Sequence, residues 1–223
     1  MRQIDSEIMV RQMGVLDYKD GLKAQQAFTR ARHVDDRDEL WIVEHPAVFT
    51  LGQAGKMEHV LNPGEIPVVR SDRGGQVTYH GPGQVVIYPL LNVKRCKMTV
   101  RGLVSSLERA VIHCLKEFGL EGETRSGAPG VYVDERKIAA LGLRISRGFS
   151  YHGLSVNVAM DLAPFERINP CGYTDLKVTD FVREGVVVTP KQVSERLITK
   201  LKQEISLART GETPIDPSSM GAS

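Results

Sequence analysis

The chain has 223 residues, 41% hydrophobic and 25% charged, the composition of an ordinary globular domain, which excludes a disordered chain, a fibre and a disulfide-rich mini-protein. Its 29 basic and 27 acidic side chains leave a net charge of +2, and only 6% of residues are aromatic. That is too balanced for an electrostatic nucleic-acid binder and too poor in rings for a base-stacking platform. Three cysteines do not make a disulfide framework; they fit a reducing compartment, and their odd number leaves room for a working thiol.

The first residues, MRQIDSEIMVRQMG, lack the apolar centre of a signal peptide. No stretch approaches the roughly 18 apolar residues of a membrane span, so a cytoplasmic protein free of the membrane is expected. Residues 18–34 are rich in helix formers, and Leu40–Val43 reads as a short strand ending at His45-Pro46. Gln84–Leu91 is a buried strand. Arg101–Phe118 places Leu103, Leu107, Ala110, Val111, Cys114, Leu115 and Phe118 on one helical face. Val131–Val133, Asp134-Glu135 and Arg136–Ile145 predict a hairpin. Leu154, Val156 and Val158 alternate with polar residues as a half-buried strand does, and Val186–Val188 is a further short strand. Thr189-Pro190 opens the last helix, with Gln192 completing a capping box and Val193, Leu197, Leu201 and Ile205 as its stripe. Helices packed on mixed β-sheets, without regular alternation, predict an α+β fold. One catalytic domain over residues 1–207 is expected, followed by a polar, mobile tail over residues 208–223.

Several segments carry residues suited to chemistry. Cys171 sits between Pro170 and Gly172, a bend that can hold a thiol outward. Cys114 belongs to a helix stripe and reads as a buried hydrophobe. Cys96, flanked by Lys94, Arg95 and Lys97, has cations that can lower a thiol pKa and is the runner-up nucleophile. Arg73–Tyr88 packs four glycines and a proline among Arg, Thr, Tyr and His. Glycines let a backbone approach a ligand and offer N–H groups, and an arginine before two glycines can hold an anionic or carbonyl group. The spacing is neither a Walker loop nor a dinucleotide fingerprint. Lys137 opens the apolar run Ile138–Leu143, placed to turn inward, where loss of water favours a neutral amine. His80 and His152 each lie in a Tyr-His-Gly triplet. Metal-ligand spacings and the G-x-S-x-G of serine hydrolases do not occur.

The stretches RGGQVTYHGPGQVVIYPLL and GAPGVYVDERKIAALGLRISRGFSYHGLSVNVAMDLAPFERINPCGY, with HPAVFTLG upstream at His45–Gly52, closely resemble the octanoyltransferase family of lipoate biosynthesis. The match runs from roughly residue 10 to residue 205. The resemblance implies an acyltransferase that takes an octanoyl group from the phosphopantetheine of acyl carrier protein. It delivers that group to one lysine of the lipoyl domains of 2-oxoacid dehydrogenases or of the glycine cleavage H protein. It implies the fold of the biotin and lipoate protein ligase catalytic domain, no metal and no cofactor, and a monomer. It implies a catalytic Cys171/Lys137 dyad with an acyl-enzyme intermediate, and substrate contacts at Arg73, Gly74, Gly75, Gln76, Val77, Thr78, Tyr79 and His80, at Ala140, Leu141 and Gly142, and at Gly153, Leu154 and Ser155. His152 is placed in support. Ser155, alanine in many members, and Thr174-Asp175-Leu176 depart from the family pattern.

These residue types suit that chemistry. A thiol relay splits transfer from a thioester to an amine into two steps, and a cation beside the cysteine favours its thiolate. Once the thiol is acylated, Lys137 becomes available as base for the acceptor amine. Gly153, Leu154 and the Gly74-Gly75 pair are candidate oxyanion donors, and Arg136, Arg144 and Arg147 offer a basic docking face for acidic partners. Two alternatives remain open at this level: an ATP-dependent lipoate or biotin ligase, which needs no cysteine nucleophile, and a non-catalytic adaptor of acyl carrier protein.

Overall fold

A computed structural model describes residues 7–169 and 176–210. Its main sheet has seven strands in the order β1-β2-β6-β10-β9-β8-β7. These are β1 (Met9–Val15), β2 (Glu39–Glu44), β6 (Gln84–Leu90), β7 (Glu123–Thr124), β8 (Val131–Val133), β9 (Arg136–Ser146) and β10 (Phe149–Asn157). A second sheet, ordered β4-β3-β5, contains β3 (Val48–Leu51), β4 (Val68–Arg70) and β5 (Val77–His80). Three helices accompany them: α1 (Tyr18–Ala31), α2 (Val100–Glu117) and α3 (Pro190–Thr210). β1 and β2 pair in parallel across the α1 crossover, and β3 pairs in parallel with β4; the other strand pairs are antiparallel.

Period-two alternation decides which face each central strand residue meets. Leu40, Ile42, Val85, Ile87, Leu154 and Val156 face the helix pair α2/α3, packing on Leu107, Val111, Leu115, Leu197 and Leu201. Their neighbours Trp41, Val43, Val86 and Tyr88 face the other way and meet Leu22 and Phe28 of α1. Each fully buried side chain of this kind contributes about 1.5–3 kcal/mol. The smaller sheet has its own core of Phe49, Leu51, Val77 and Tyr79 against Phe165.

The helix starts follow their caps. Thr99 Oγ1 accepts from the Gly102 N–H at 3.0 Å. At α3 the capping box is complete: Gln192 N–H donates to Thr189 Oγ1 at 3.2 Å, and Thr189 N–H to Gln192 Oε1 at 2.9 Å. The expected hairpin also forms, with Val133 opposite Arg136. Asp134 and Glu135 both take positive φ, 43° and 69°, as a two-residue primed turn requires.

Three expectations change. Val186–Val188 is not a strand; Val187 is 91% exposed and the Val186 N–H closes a turn onto the Phe181 carbonyl, so β-branched residues alone did not supply a pairing partner. α1 stops at Ala31. α3 continues through Thr210, past the boundary expected at residue 207, and there Arg209 pairs with the buried Asp38 at 2.7 Å.

Candidate active site

A cavity with about 770 Å³ of empty space, counted with its mouth, opens between the two sheets, walled by β5, β6, β9, β10, the Arg73–Gln76 turn and Tyr18 at the start of α1. Its floor is largely apolar, with Val77, Val86, Ala139, Leu141 and Leu154. Polar atoms enter from a few fixed side chains, the usual build of a small-molecule site.

Lys137 lies in this wall, only 4% exposed. Its Nζ donates to the Pro129 carbonyl at 3.1 Å and stands 5.2 Å from the centroid of the Tyr132 ring. Gly130 makes room for it: a Cβ at that position would lie 2.9 Å from Lys137 Cε. The main chain of Lys137 is tied on both sides. It pairs with Tyr132 of β8. Beyond the end of β10 its N–H donates to the Lys177 carbonyl at 2.9 Å, and its carbonyl accepts from Thr179 N–H at 3.0 Å. The segment that follows Cys171 in sequence is thereby stitched to the strand carrying Lys137.

Arg73 organises the glycine turn. Its guanidinium donates to the carbonyls of Thr50 at 2.6 Å, Gln76 at 2.7 Å and Gly74 at 2.8 Å. The carbonyl groups this arginine holds are the protein's own, and they fold the turn over β9. Gly74 N–H donates to the Leu143 carbonyl at 3.1 Å, which removes that amide from the candidate oxyanion donors. Gly142 is needed opposite it, since a Cβ there would lie 2.9 Å from the Gly74 carbonyl oxygen.

A buried polar network also lines the cavity. Tyr18 stacks on His80 at 5.7 Å between centroids, and its hydroxyl bonds Ser71 Oγ at 2.8 Å. His80 Nδ1 bonds Gln84 Oε1 at 2.8 Å, and Gln84 Nε2 donates to Asn157 Oδ1 at 2.9 Å. Burial, helped by the neighbouring His45, pulls His80 down to about 3, so it is a neutral ring at physiological pH. His45 sits between the Leu16 carbonyl and the Tyr88 hydroxyl, each at 2.6 Å. His152 bonds Asp72 Oδ1 through Nε2 at 2.7 Å, while Tyr151 donates to Asp72 Oδ2 at 2.5 Å. Burial lowers His152 despite this carboxylate, and the hydrogen bond from His152 holds Asp72 well below the usual carboxylate range. Neutral His152 thus donates its Nε2–H.

The profile of the lipoyl protein ligase A/B catalytic domain matches residues 17–202 of this chain. The octanoyltransferase of Klebsiella pneumoniae (strain 342) is 56% identical over 196 residues, 88% of this chain and 92% of that protein. The chain belongs to the octanoyltransferase family. The likeness to solved structures extends the fold assignment further. A bipartite lipoate protein ligase from Thermoplasma acidophilum, solved in a study with its E2 lipoyl domain, superposes with a TM-score of 0.71 at 17% identity, covering 90% of this chain and 85% of that one. Biotin protein ligase from Aquifex aeolicus, with biotin and ATP, gives 0.58 at 14% identity, over 92% and 73%. The α+β architecture expected from the sequence is that of these ligase catalytic domains.

Within this octanoyltransferase cavity the structure gathers most of the residues that sequence singled out: Lys137, Arg73, Gly75, Gln76, Val77, Thr78, His80, Ala140, Leu141, Gly142, His152, Gly153, Leu154 and Ser155. Tyr79 is not in the wall; strand alternation turns Thr78 and His80 one way and Val77 and Tyr79 the other, and Tyr79 packs into the small sheet's core against Phe49 and Phe165. Gly74 sits behind the wall with its amide occupied. Cys171 lies outside the described residues. Cys96 is fully buried, and burial together with nearby Asp38 pushes its thiol up, so the flanking cations do not activate it. Cys114 is likewise buried and pushed up to about 12. Arg136, Arg144 and Arg147 do not form one compact patch: eight residues of extended β9 separate the first two, about 26 Å. Arg136 is paired with Glu184 at 2.9 Å, and Arg144 donates to the Asp72 carbonyl.

The sequence reading missed Tyr18, Gln84, Tyr88, Asn157, Phe165 and Val178 as wall residues. The available signals were modest. Gln84 and Tyr88 sit in a strand that reads as plain core, and Tyr18 opens a helix whose crossover position only the sheet topology reveals. Among the described residues, no group of three His, Cys, Asp or Glu side chains is arranged to hold a metal ion, and no helix is long and apolar enough to cross a membrane.

Proposed function

We propose that this chain moves an octanoyl group from the phosphopantetheine thioester of acyl carrier protein to the ε-amine of one lipoyl-domain lysine, with Cys171 as relay and Lys137 as its partner. The observation that carries this reading is Lys137: a buried lysine in the wall of an apolar cavity, on a chain more than half identical to an octanoyltransferase. The octanoyl chain occupies the apolar floor, where each buried methylene contributes about 0.8 kcal/mol.

In the first step the Cys171 thiolate attacks the thioester carbonyl. The tetrahedral oxyanion collapses, the phosphopantetheine thiolate leaves and takes a proton from Lys137, and Cys171 carries the acyl group. The Lys137 charge favours the attacking thiolate. In the second step the acceptor amine attacks the new thioester, gives a proton to Lys137, and expels the Cys171 thiolate as the amide forms. Of the candidate oxyanion donors, Gly153 and Leu154 line the cavity, whereas the Gly74 amide is already bonded. The donor thioester is already activated, so no nucleotide or other cofactor is required. Acceptors are the lipoyl domains of 2-oxoacid dehydrogenases and the glycine cleavage H protein. The enzyme works as a cytoplasmic monomer, a setting that suits its two buried, unbridged thiols, Cys96 and Cys114.

Intact-protein mass spectrometry after mixing with octanoyl-acyl carrier protein tests this. An octanoyl adduct is expected on the parent and not on Cys171→Ala. Lys137→Arg keeps the charge and removes the base; it is expected to slow transfer to an apo lipoyl domain by about 10²–10⁴-fold. Near-normal transfer by that variant excludes Lys137 as the base, and ATP-dependent attachment of free octanoate would return the chain to the ligase reading.

A further inference from the structure

A second, open groove of about 1,040 Å³ lies outside the acyl cavity. Phe165 and Val178 line both spaces, so one thin partition separates them and the groove begins where the cavity ends. Its near walls are apolar, with Leu162, Phe165 and Ile168, and its outer part carries Arg136, Lys177 and Arg183 against one lining carboxylate among the described residues, Glu166. Lys177 and Arg183 are exposed, and neither has an ion-pair partner among the described residues. Arg136 is bound to Glu184, yet its side chain remains 36% exposed. The Lys177 carbonyl accepts from Lys137 N–H, so this lysine's position is fixed relative to the reacting end of the acyl cavity.

An apolar trough that runs out to clustered cations matches one chemical object on the donor side: a thioester arm with an apolar and amide body that ends in a phosphodiester. We infer that this groove takes the phosphopantetheine arm of the acyl donor, with Lys177 and Arg183, aided by Arg136, holding its phosphate while the octanoyl chain fills the inner cavity. The inference rests on the acyl-transfer reading above and names where the donor's prosthetic group lies. Arginine and lysine are the side chains suited to a phosphate oxygen. A contact of this type at an exposed groove weakens as salt screens it. The arm is taken as presented by a carrier protein, because an anion held at the groove's outer end leaves the protein attached to it outside.

The test does not depend on turnover. Octanoyl amides of phosphopantetheine and of pantetheine differ only in the phosphate and cannot be transferred. The parent is expected to bind the phosphorylated analogue at least about tenfold more tightly at low salt. Lys177→Glu/Arg183→Glu should abolish that preference, while Lys116→Glu, the same charge change on exposed α2, should keep it. A carrier protein bearing the phosphorylated amide should lose affinity for the double variant to the same extent. A preference that survives in the double variant overturns the inference. So does weakened binding of an apo lipoyl domain with the phosphate preference intact, which would give the groove to the acceptor. Failure of the acyl-transfer reading shows separately, as the absence of an adduct on Cys171.

Discussion

Tyr79-His80-Gly81 and Tyr151-His152-Gly153 each bring a histidine to the same cavity, and the two sheets use it differently. In β5 the triplet keeps a regular strand, with His80 opposite Val48, its ring stacked on Tyr18 and bonded to an amide. In β10, His152 takes a φ of +56°, a conformation that costs a non-glycine residue of order 1 kcal/mol or more. The adjacent strand explains the distortion. Pro89 of β6 lies between the pairings Ile87 with Leu154 and Asn92 with Phe149 and has no N–H to offer. Ser150 fills in, its hydroxyl donating to the Pro89 carbonyl at 2.6 Å and accepting from Leu91 N–H at 3.0 Å. The His152 N–H turns to Gln25 Oε1 at 2.8 Å, and its ring reaches Asp72. One histidine is held by burial and an amide, the other by backbone strain and a carboxylate. A short motif thus sets what a residue can do, while the neighbouring strand sets what it does.

Four variants separate the two environments. Gly153→Ala should do the most damage. A Cβ there would lie 2.1 Å from the Ile87 carbonyl oxygen and 2.5 Å from Pro89 Cδ, both fixed in the central sheet, and a loss of about 3 kcal/mol in denaturant unfolding is expected. Asp72→Asn comes next, at about 1–3 kcal/mol near neutral pH, because it weakens the bonds to His152 and Tyr151 together. Asp72 is held below its unfolded value, so its contribution is present above about pH 4 and lost on acidification below that. The variant should therefore flatten the acid limb of stability against pH. His80→Gln probes the other triplet. With a folded value of about 3, His80 stays neutral while the unfolded chain takes up a proton below about 6.5. Stability falls as pH is lowered across that window, and removing the ring should reduce the slope by up to about 1.4 kcal/mol per pH unit. Gly81→Ala should cost least, about 1 kcal/mol. Its Cβ would meet the Tyr79 hydroxyl at 2.3 Å, a side-chain end and not backbone, which can give only as far as its packing on Phe49 and Phe165 allows. Should Gly81→Ala prove as costly as Gly153→Ala, the contrast between a yielding and a fixed neighbour fails.

Long periodic elements were readable from residues alone. The stripe of α2, the capping box of α3 and the β8–β9 hairpin announce themselves locally, because their stabilising partners lie within a few residues. The edge strand β1 and the three- and four-residue strands β3, β4 and β5 were not readable; with so few residues, pairing across the chain decides them. Val186–Val188 shows the converse, strand-like residues with no strand to join. For the site, Lys137 and the Arg73–His80 turn stood out by composition, and family resemblance tied them to an acyl transfer. Tyr79 was misplaced because a sequence stretch names neighbours without saying which alternate residue faces inward. The His45–Tyr88 and Asp72–His152 pairs were unreadable, since 43 and 80 positions separate their members.

The two backbone bonds between Lys137 and the 177–179 segment bear on the entropy of the reaction. A strand that loses its neighbour normally frays, and a lysine on a fraying end would have to be collected into position at each turnover. Here another part of the chain closes the ladder where β10 departs, so the main-chain freedom of Lys137 is spent once, when the sheet forms. Only the lysine's own torsions remain to be settled when substrate arrives, and pre-settled geometry of this kind lowers a barrier without any new contact to the reacting atoms.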